Sequence, residues 1–333
     1  MASLKIPTID LQSETIIDDV KGACENYGFF YVTNHQVISM INCFEQSKKF
    51  FDLSTEEKLK YACNSNNLGY TSFQDETLSP SDQSCGDTKE GYYIGKDSTS
   101  NNIWPSESLL PLWKDTIITY YKECIVLGNM LIQIIAQSLG QSNDYFNDIT
   151  QDKSAILRLL KYGQIQSDPI NGIYGAGQHS DYGLITLLST NDLPGLEIYL
   201  NNTWHPVPPR PGMFIVNIGD SLQILTNGKY KSTIHRVLIN TTTSSRVSNT
   251  TVTNNDRYSI AFFYEPDFHA VIQPRLTYDD RNPHNSYPSF TNAFYTTPIT
   301  YGEYLKNKYN MTSNDFKKGN NSNGSNDNKT TNY

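Results

Sequence analysis

Six short runs of leucine, β-branched and aromatic residues follow one another between residues 155 and 265, roughly every 10 to 15 residues. The runs cover 156–162, 184–188, 196–200, 213–217, 233–239 and 257–264. Turn sequences separate them, among them Leu193-Pro-Gly195 and Asn227-Gly228. This spacing is typical of an antiparallel sandwich or barrel, and a double-sheet jelly roll is one member of that class.

The first 140 residues have a different pattern. Apolar residues recur at helical spacing over 16–27 and 37–51, and Gly28 suits the position just after the first of these helices. Ser54 and Glu57 form a capping box, and a long helix is predicted from about Leu110 to Leu139. The chain is therefore predicted to be α+β and mainly β, with a helix-rich N-terminal region beside an antiparallel core.

Composition excludes several classes of protein. The 333 residues carry a net charge of −8, which supplies no basic face for nucleic acid or an anionic membrane. The 23 Tyr and 14 Phe provide enough apolar surface for a core, so global disorder is excluded. Only the Asn-rich tail 317–333 is predicted to be disordered. Five scattered Cys, no secretory signal and no long uncharged apolar run favour a cytoplasmic protein with reduced thiols.

A candidate metal site is built from His179-Ser-Asp181 and His235. Residues i and i+2 of a strand face one side, so this imidazole and this carboxylate can converge. The triplet alone is weak evidence, because such pairs also occur in surface turns. His235 lies 54 residues after Asp181 on another predicted strand. Two His and one carboxylate form the facial triad that suits non-haem Fe(II), although Zn²⁺ accepts the same ligands.

A candidate anion site follows in Arg257-Tyr-Ser259, where i and i+2 again point one way. A guanidinium offers a planar fork that matches a carboxylate. Arg257 opens the apolar run 260–263, and an unpaired Arg on a buried strand is energetically costly. A carboxylate ligand is therefore the favoured partner of Arg257 and Ser259.

Taken in order along the chain, these motifs resemble the Fe(II)- and 2-oxoglutarate-dependent dioxygenases, in the isopenicillin N synthase-like branch. The resemblance extends over nearly the whole chain before the Asn-rich tail. Its matching segments are 6–11, 27–35, 50–53, 89–95, 157–162, 177–188 and 217–220.

The resemblance implies a role for each motif. His179, Asp181 and His235 would bind Fe(II). Arg257 and Ser259 would hold the distal carboxylate of 2-oxoglutarate. The hydroxyl of Tyr162 (here in Leu160-Lys-Tyr-Gly163 rather than Asn-x-Tyr-Pro) would also reach this co-substrate.

The same resemblance implies the fold and the reaction. A double-stranded β-helix (jelly roll) core would span 152–268, after an N-terminal region 1–125 that ends in the long helix and before a C-terminal extension 269–316. The enzyme would couple oxidative decarboxylation of 2-oxoglutarate by O₂ to hydroxylation or desaturation of a small organic molecule, with ascorbate as reductant. A monomer or weak homo-oligomer is expected.

Three alternatives stay open at this point. An oxidase of the isopenicillin N synthase type would use Arg257 to grip the carboxylate of its own substrate, without 2-oxoglutarate. A zinc hydrolase or a non-enzymatic jelly-roll binding protein would also fit the triad.

Asp220 is interpreted as a turn residue and His205 as structural. Four further side chains are candidates to face the substrate: Lys89, Glu90, Tyr92 and Arg158.

Overall fold

The computed structural model describes residues 4–96, 101–240, 256–276 and 297–309. The tail 317–333, predicted to be disordered, therefore lies outside the described residues. The strands are β1 (Thr8–Asp10), β2 (Phe29–Thr33), β3 (Gly69–Thr71), β4 (Lys89–Ile94), β5 (Ile156–Tyr162), β6 (Ala176–His179), β7 (Ile185–Thr190), β8 (Leu196–Leu200), β9 (Thr203–Pro206), β10 (Phe214–Ile218), β11 (His235–Val237), β12 (Arg257–Tyr264), β13 (Val271–Ile272) and β14 (Ile299–Thr300). The helices are α1 (Ile16–Asn26), α2 (Met40–Phe51), α3 (Thr55–Leu59), α4 (Trp113–Ser138), α5 (Asp220–Leu225) and α6 (301–309).

Two sheets form the core. The larger has eight strands in the order β1-β2-β10-β7-β12-β5-β4-β3, and the smaller has four in the order β6-β11-β8-β9. All neighbouring pairs in both sheets are antiparallel except β1 with β2. The predicted jelly-roll core with a helix-rich N-terminal region is confirmed.

Alternating side chains give the large sheet two buried faces. Leu157 and Leu159 of β5 join the hydrophobic cluster that also contains the helices, whereas Leu160 and Tyr162 join the cluster between the two sheets. We call the space between the sheets the interior of the jelly roll. Strand β12 follows the same rule, since Tyr258 packs on the helix side. Residues Arg257 and Ser259 therefore face the interior.

Helix α4 covers the outer face of the large sheet. Its buried residues include Trp113 and Tyr120, which lie in the same cluster as the outward residues of β12. Gly128 makes the close approach possible, because a Cβ there would lie 2.3 Å from the ring of Tyr264. No helix of the described part of the chain is both long and apolar enough to cross a membrane.

The sequence located several elements well and missed others. Strands β5, β8 and β12 have the predicted bounds, Ser54 accepts the predicted capping bond from the amide of Glu57, and Gly28 has the left-handed φ of 65°. Strands β3, β4 and β9 were not predicted. The turn interpretation of Asp220 was wrong, because this residue begins α5 and is only 3% exposed.

Candidate metal and co-substrate site

The two small-sheet strands β6 and β11 bring the predicted metal ligands together. His179 ends β6 and lies directly opposite His235, the first residue of β11. Asp181 Oδ1 lies 3.8 Å from His179 Nε2 and 3.7 Å from His235 Nε2. Within the described residues this is the only group of three or more His, Cys, Asp or Glu side chains close enough to hold a metal.

The local backbone orients both imidazoles. His179 Nδ1 lies 2.7 Å from the carbonyl oxygen of Gly177, and His235 Nδ1 lies 3.1 Å from that of Thr233. A carbonyl oxygen only accepts, so each Nδ1 donates its proton. Both Nε2 lone pairs therefore face the shared point between the rings, as a metal ligand requires.

Asp181 is held through one oxygen and directed at the imidazoles through the other. Its Oδ2 accepts hydrogen bonds from Thr186 Oγ1 at 2.5 Å and from Asn217 Nδ2 at 2.7 Å. Oδ1 faces the two imidazoles. The two donors fix the rotation of the carboxylate and leave Oδ1 to bind a cation. Neither Thr186 nor Asn217 was assigned a role from the sequence, although each lies on the interior face of its strand.

The protonation states of His179 and Asp181 suit the binding of a divalent cation. Burial, and then His235, lower the pKa of His179 to about 4, although Asp181 opposes the shift. Burial opposes ionisation of Asp181, but the two imidazoles, Asn217 and Thr186 together keep its pKa below the ordinary value. At neutral pH the group therefore offers a neutral His179 and one carboxylate. This nitrogen and oxygen donor set fits Fe(II).

Arg257 and Ser259 lie on β12, and both are almost fully buried, at 4% and 1% exposure. Arg257 Nε, Arg257 Nη1 and Ser259 Oγ have no hydrogen-bond partner among the described residues. Arg257 forms no ion pair with any carboxylate of that part of the chain. Buried donors are rarely left unsatisfied in a native protein, so these atoms indicate a site for an acceptor ligand. A carboxylate fits the site in both charge and shape.

Two neighbours shape the surroundings of Arg257. Tyr162 lies opposite it on β5, with its ring centroid 4.6 Å from the guanidinium carbon. Gly195 has a φ of 150°, and a Cβ there would lie 3.3 Å from Arg257 Nε and 2.7 Å from the carbonyl oxygen of Leu238. Burial lowers the pKa of Arg257, and Tyr162 opposes the shift. Without a bound anion, the positive charge of Arg257 therefore has no counter-ion among the described residues.

A cavity of about 640 Å³ opens beside His179. Its lining includes Trp204, Tyr199 and Ile234, together with Leu78 and Asp82 of the loop before β4. Lys308 of α6 also faces this cavity. The space is adequate for a small organic molecule next to the metal ligands.

Asp220 joins α6 to the metal-binding turn. Its Oδ2 accepts from Tyr304 Oη at 2.7 Å, from Lys308 Nζ at 2.9 Å and from Ser180 Oγ at 3.2 Å. Its amide donates to the carbonyl of Asp181 at 2.7 Å. A residue interpreted from sequence as part of a turn therefore supports the site.

The four substrate-facing candidates divide by strand face. Tyr92 and Glu90 face outward, where Tyr92 is fully buried and Glu90 pairs with Lys58 at 2.6 Å. Lys89 and Arg158 face the interior, because they share strand faces with Leu160 and Tyr162. His205 lies on β9 and contacts the carbonyl of Leu200, so it takes no part in the triad.

Comparison with known proteins gives one consistent result. Residues 154–266 match the family model of the 2OG-Fe(II) oxygenase superfamily, and residues 6–107 match that of the non-haem dioxygenase in morphine synthesis N-terminal. A probable iron/ascorbate oxidoreductase of Dictyostelium discoideum is 30% identical, over 90% of this chain and 89% of the relative. Kihadalactone A synthase of Citrus sinensis is 32% identical over the same shares.

A solved structure is also similar over almost the full chain. A full-length Neurospora crassa protein, crystallised in complex with alpha-KG and thymine, superposes with a TM-score of 0.75 at 27% identity. The match covers 93% of this chain and 98% of the Neurospora protein.

Proposed function

Because this chain belongs to the 2-oxoglutarate- and Fe(II)-dependent oxygenase superfamily, we propose that His179, Asp181 and His235 bind its Fe(II). Arg257 and Ser259 bind the distal carboxylate of 2-oxoglutarate, and Tyr162 lies against the guanidinium that does so. The observation that carries the assignment is the convergence of Asp181 Oδ1 with the Nε2 atoms of the two imidazoles.

The enzyme couples oxidative decarboxylation of 2-oxoglutarate to oxidation of a small organic molecule. Bound iron supplies the O₂ chemistry, in which 2-oxoglutarate becomes succinate and CO₂ while the organic substrate is hydroxylated or desaturated. The oxidase, zinc hydrolase and binding-protein alternatives are not favoured by the family and its relatives. Ascorbate is proposed as the reductant, which agrees with the name of the Dictyostelium relative.

The protein contributes position and a dry environment. Thr186 and Asn217 hold Asp181 Oδ2, so that Oδ1 stays directed at the metal. Apolar side chains from both sheets, such as Ile198, Ile215 and Val237, surround the interior and exclude water. A low-dielectric interior strengthens the pairing between Arg257 and a carboxylate.

Partners, location and domain bounds are also proposed. The three proposed metal ligands converge within one jelly roll, and a functional monomer or weak homo-oligomer is proposed on that basis. The net charge of −8 supports the expectation that nucleic acid is not a partner. All five cysteines are free, which supports a cytoplasmic location. We also propose the division into regions 1–125, 152–268, 269–316 and 317–333, and the family matches over 6–107 and 154–266 support the first two of these regions.

The direct test is an anaerobic titration of the metal-free protein with Fe(II) and 2-oxoglutarate. Chelation of bound iron by 2-oxoglutarate is expected to produce a metal-to-ligand charge-transfer band in the visible region. Zn²⁺ with 2-oxoglutarate serves as the control that gives no band. Absence of the Fe(II) band, together with absence of succinate formation in air, would contradict the proposal.

A further inference from the structure

A second arginine, Arg158, faces the interior of the jelly roll. It lies on β5 four residues before Tyr162, opposite Tyr93 of β4 and Ala261 of β12. The guanidinium carbon lies 4.0 Å from the ring centroid of Tyr93, which fixes the plane of the group. The side chain is 11% exposed, so it borders the interior rather than the bulk solvent.

Arg158 is already neutralised, unlike Arg257. Its Nη2 donates to Glu76 Oε2, which also receives Lys89 Nζ at 3.2 Å. Lys89 pairs in turn with Asp87. We call Glu76, Asp87, Lys89 and Arg158 the charge-balanced cluster, since it holds two cations and two anions. Arg158 Nε remains buried without a hydrogen-bond partner in the described part of the chain.

The cluster borders the metal-binding strand. Asp87 Oδ1 accepts from the amide of Gly177 at 2.9 Å, two residues before His179. The next two residues of that strand, Gln178 and His179, line the cavity. Through Asp87 the cluster therefore joins the metal-binding strand from the interior of the jelly roll, close to the residues that border the cavity.

We propose that the charge-balanced cluster recognises a neutral carbonyl group of the primary substrate, an amide, imide or lactam, with Arg158 Nε as donor. The inference rests on the proposed function, whose site it extends. A carboxylate there would approach Glu76 and Asp87, and like charges at such a distance repel. A neutral carbonyl oxygen can accept a hydrogen bond from Arg158 Nε without changing the net charge of the cluster. Arg257, which has no acidic partner among the described residues, selects an anion instead.

The test measures binding to the anaerobic Fe(II)–2-oxoglutarate protein with two matched pairs of probes. Uracil is compared with orotate, and 2-pyrrolidinone with pyroglutamate, because each second compound adds a carboxylate to the same ring. Saturation-transfer NMR and the shift of the charge-transfer band report binding. The neutral member of each pair is expected to bind at least about tenfold more tightly. Equal or tighter binding of the carboxylates, or no binding of either neutral probe at millimolar concentration, overturns the proposal.

Variants locate the effect. Glu76→Gln gives the cluster a net positive charge, so the preference for the neutral probes should fall by about tenfold or reverse. Arg158→Met should weaken the binding of the neutral probes by a similar factor. Arg275→Met and Asp148→Asn remove a surface pair of the same type (2.6 Å) and should change neither value. An unchanged preference in both cluster variants overturns the proposal.

The charge-transfer band separates this inference from the proposed function. A band in wild type and in Arg158→Met leaves the metal and co-substrate assignments standing, whatever the probes do. If the wild type binds 2-oxoglutarate and Arg158→Met does not, Arg158 binds the co-substrate and the inference is overturned. The wild-type preference is measured without any variant, so a misfolded variant does not prevent a decision.

Discussion

Two ends of one interior are built in opposite ways. At the metal and co-substrate end, Asp181 Oδ1 is directed at the point between two imidazoles, and two Arg257 donors have no acceptor among the described residues. In the charge-balanced cluster, four charged side chains largely satisfy one another. The first end is arranged to bind charged ligands, and the second is arranged to remain neutral. The difference teaches that the balance of buried charge decides which ligand a site suits: an unpaired guanidinium favours an anion, and a neutral cluster with one unused N–H favours a neutral acceptor.

The largest expected effect is on Asp181. Asp181→Ala removes the only anionic side chain of the metal-binding triad, so Fe(II) binding and 2-oxoglutarate-dependent succinate formation should fall to background. Equilibrium Fe(II) binding and succinate release measure the two losses. Asp144→Asn, an exposed carboxylate elsewhere, is the control. Undiminished succinate formation in Asp181→Ala would show that Asp181 is not required to bind the metal, and the contrast with the charge-balanced cluster would then be lost.

Arg257→Met tests the guanidinium of the co-substrate end. Loss of two charge-assisted hydrogen bonds should raise the Kd for 2-oxoglutarate by about 100-fold or more. Fe(II) binding without 2-oxoglutarate should be unchanged, since Arg257 is not among the three converging side chains. Titration of the charge-transfer band gives both values, with Arg275→Met as control. An unchanged Kd would show that Arg257 binds a different ligand.

Thr186→Val tests the support of Asp181. The carboxylate would lose one of its two orienting donors, so Fe(II) affinity should fall by roughly 10- to 100-fold. The 2-oxoglutarate Kd at saturating Fe(II) should change little. Thr190→Val on the same strand is a matched control, because Thr190 pairs with Ser259 rather than contacting Asp181. Equal Fe(II) affinity in the two variants would contradict the assigned role of Thr186.

The smallest effect concerns stability and pH at the charge-balanced cluster. Burial opposes ionisation of Glu76, but Arg158 and Lys89 outweigh it and lower its pKa from 4.5 to about 2. The resulting stabilisation is present above about pH 4.5 and is lost as the pH falls toward about 2. Between pH 5 and 3, wild type should lose on the order of 2 kcal/mol more unfolding free energy than Glu76→Gln.

Urea unfolding of the metal-free protein at several pH values measures this difference. Asp148→Asn serves as the control for a surface pair. Parallel pH profiles for wild type and Glu76→Gln would mean that Glu76 is not held ionised by its neighbours. The cluster would then lose its role as the neutral counterpart of the Arg257 site.

The same contrast explains how much could be predicted from the sequence. His179, Asp181, Arg257 and Ser259 stand at i and i+2 spacing on or next to strands, so their shared faces follow from the backbone. The partners of Arg158 could not be found in this way. Glu76 lies in a turn-rich stretch without periodicity, and it meets β5 only through the tertiary fold.

Missed elements have similar physical causes. Strand β4 reads Lys-Glu-Gly-Tyr-Tyr-Ile, in which charged residues are buried on both faces and no alternation of polar and apolar residues marks a strand. Helix α5 has six residues, all buried, so it shows no amphipathic pattern. Thr186 and Asn217 could have been found by counting which residues of β7 and β10 face Asp181.

The carbonyl groups behind the two imidazoles have a consequence for metal choice. Because Gly177 and Thr233 fix the rings from within the same loop or strand, the ligands stand ready before any ion arrives. A preset trio of two nitrogens and one oxygen binds first-row ions in the Irving–Williams order, which places Co²⁺ and Ni²⁺ above Fe²⁺. Donor affinity alone therefore does not select Fe(II) at this centre, so the supply of ions in the cell contributes to which ion occupies it.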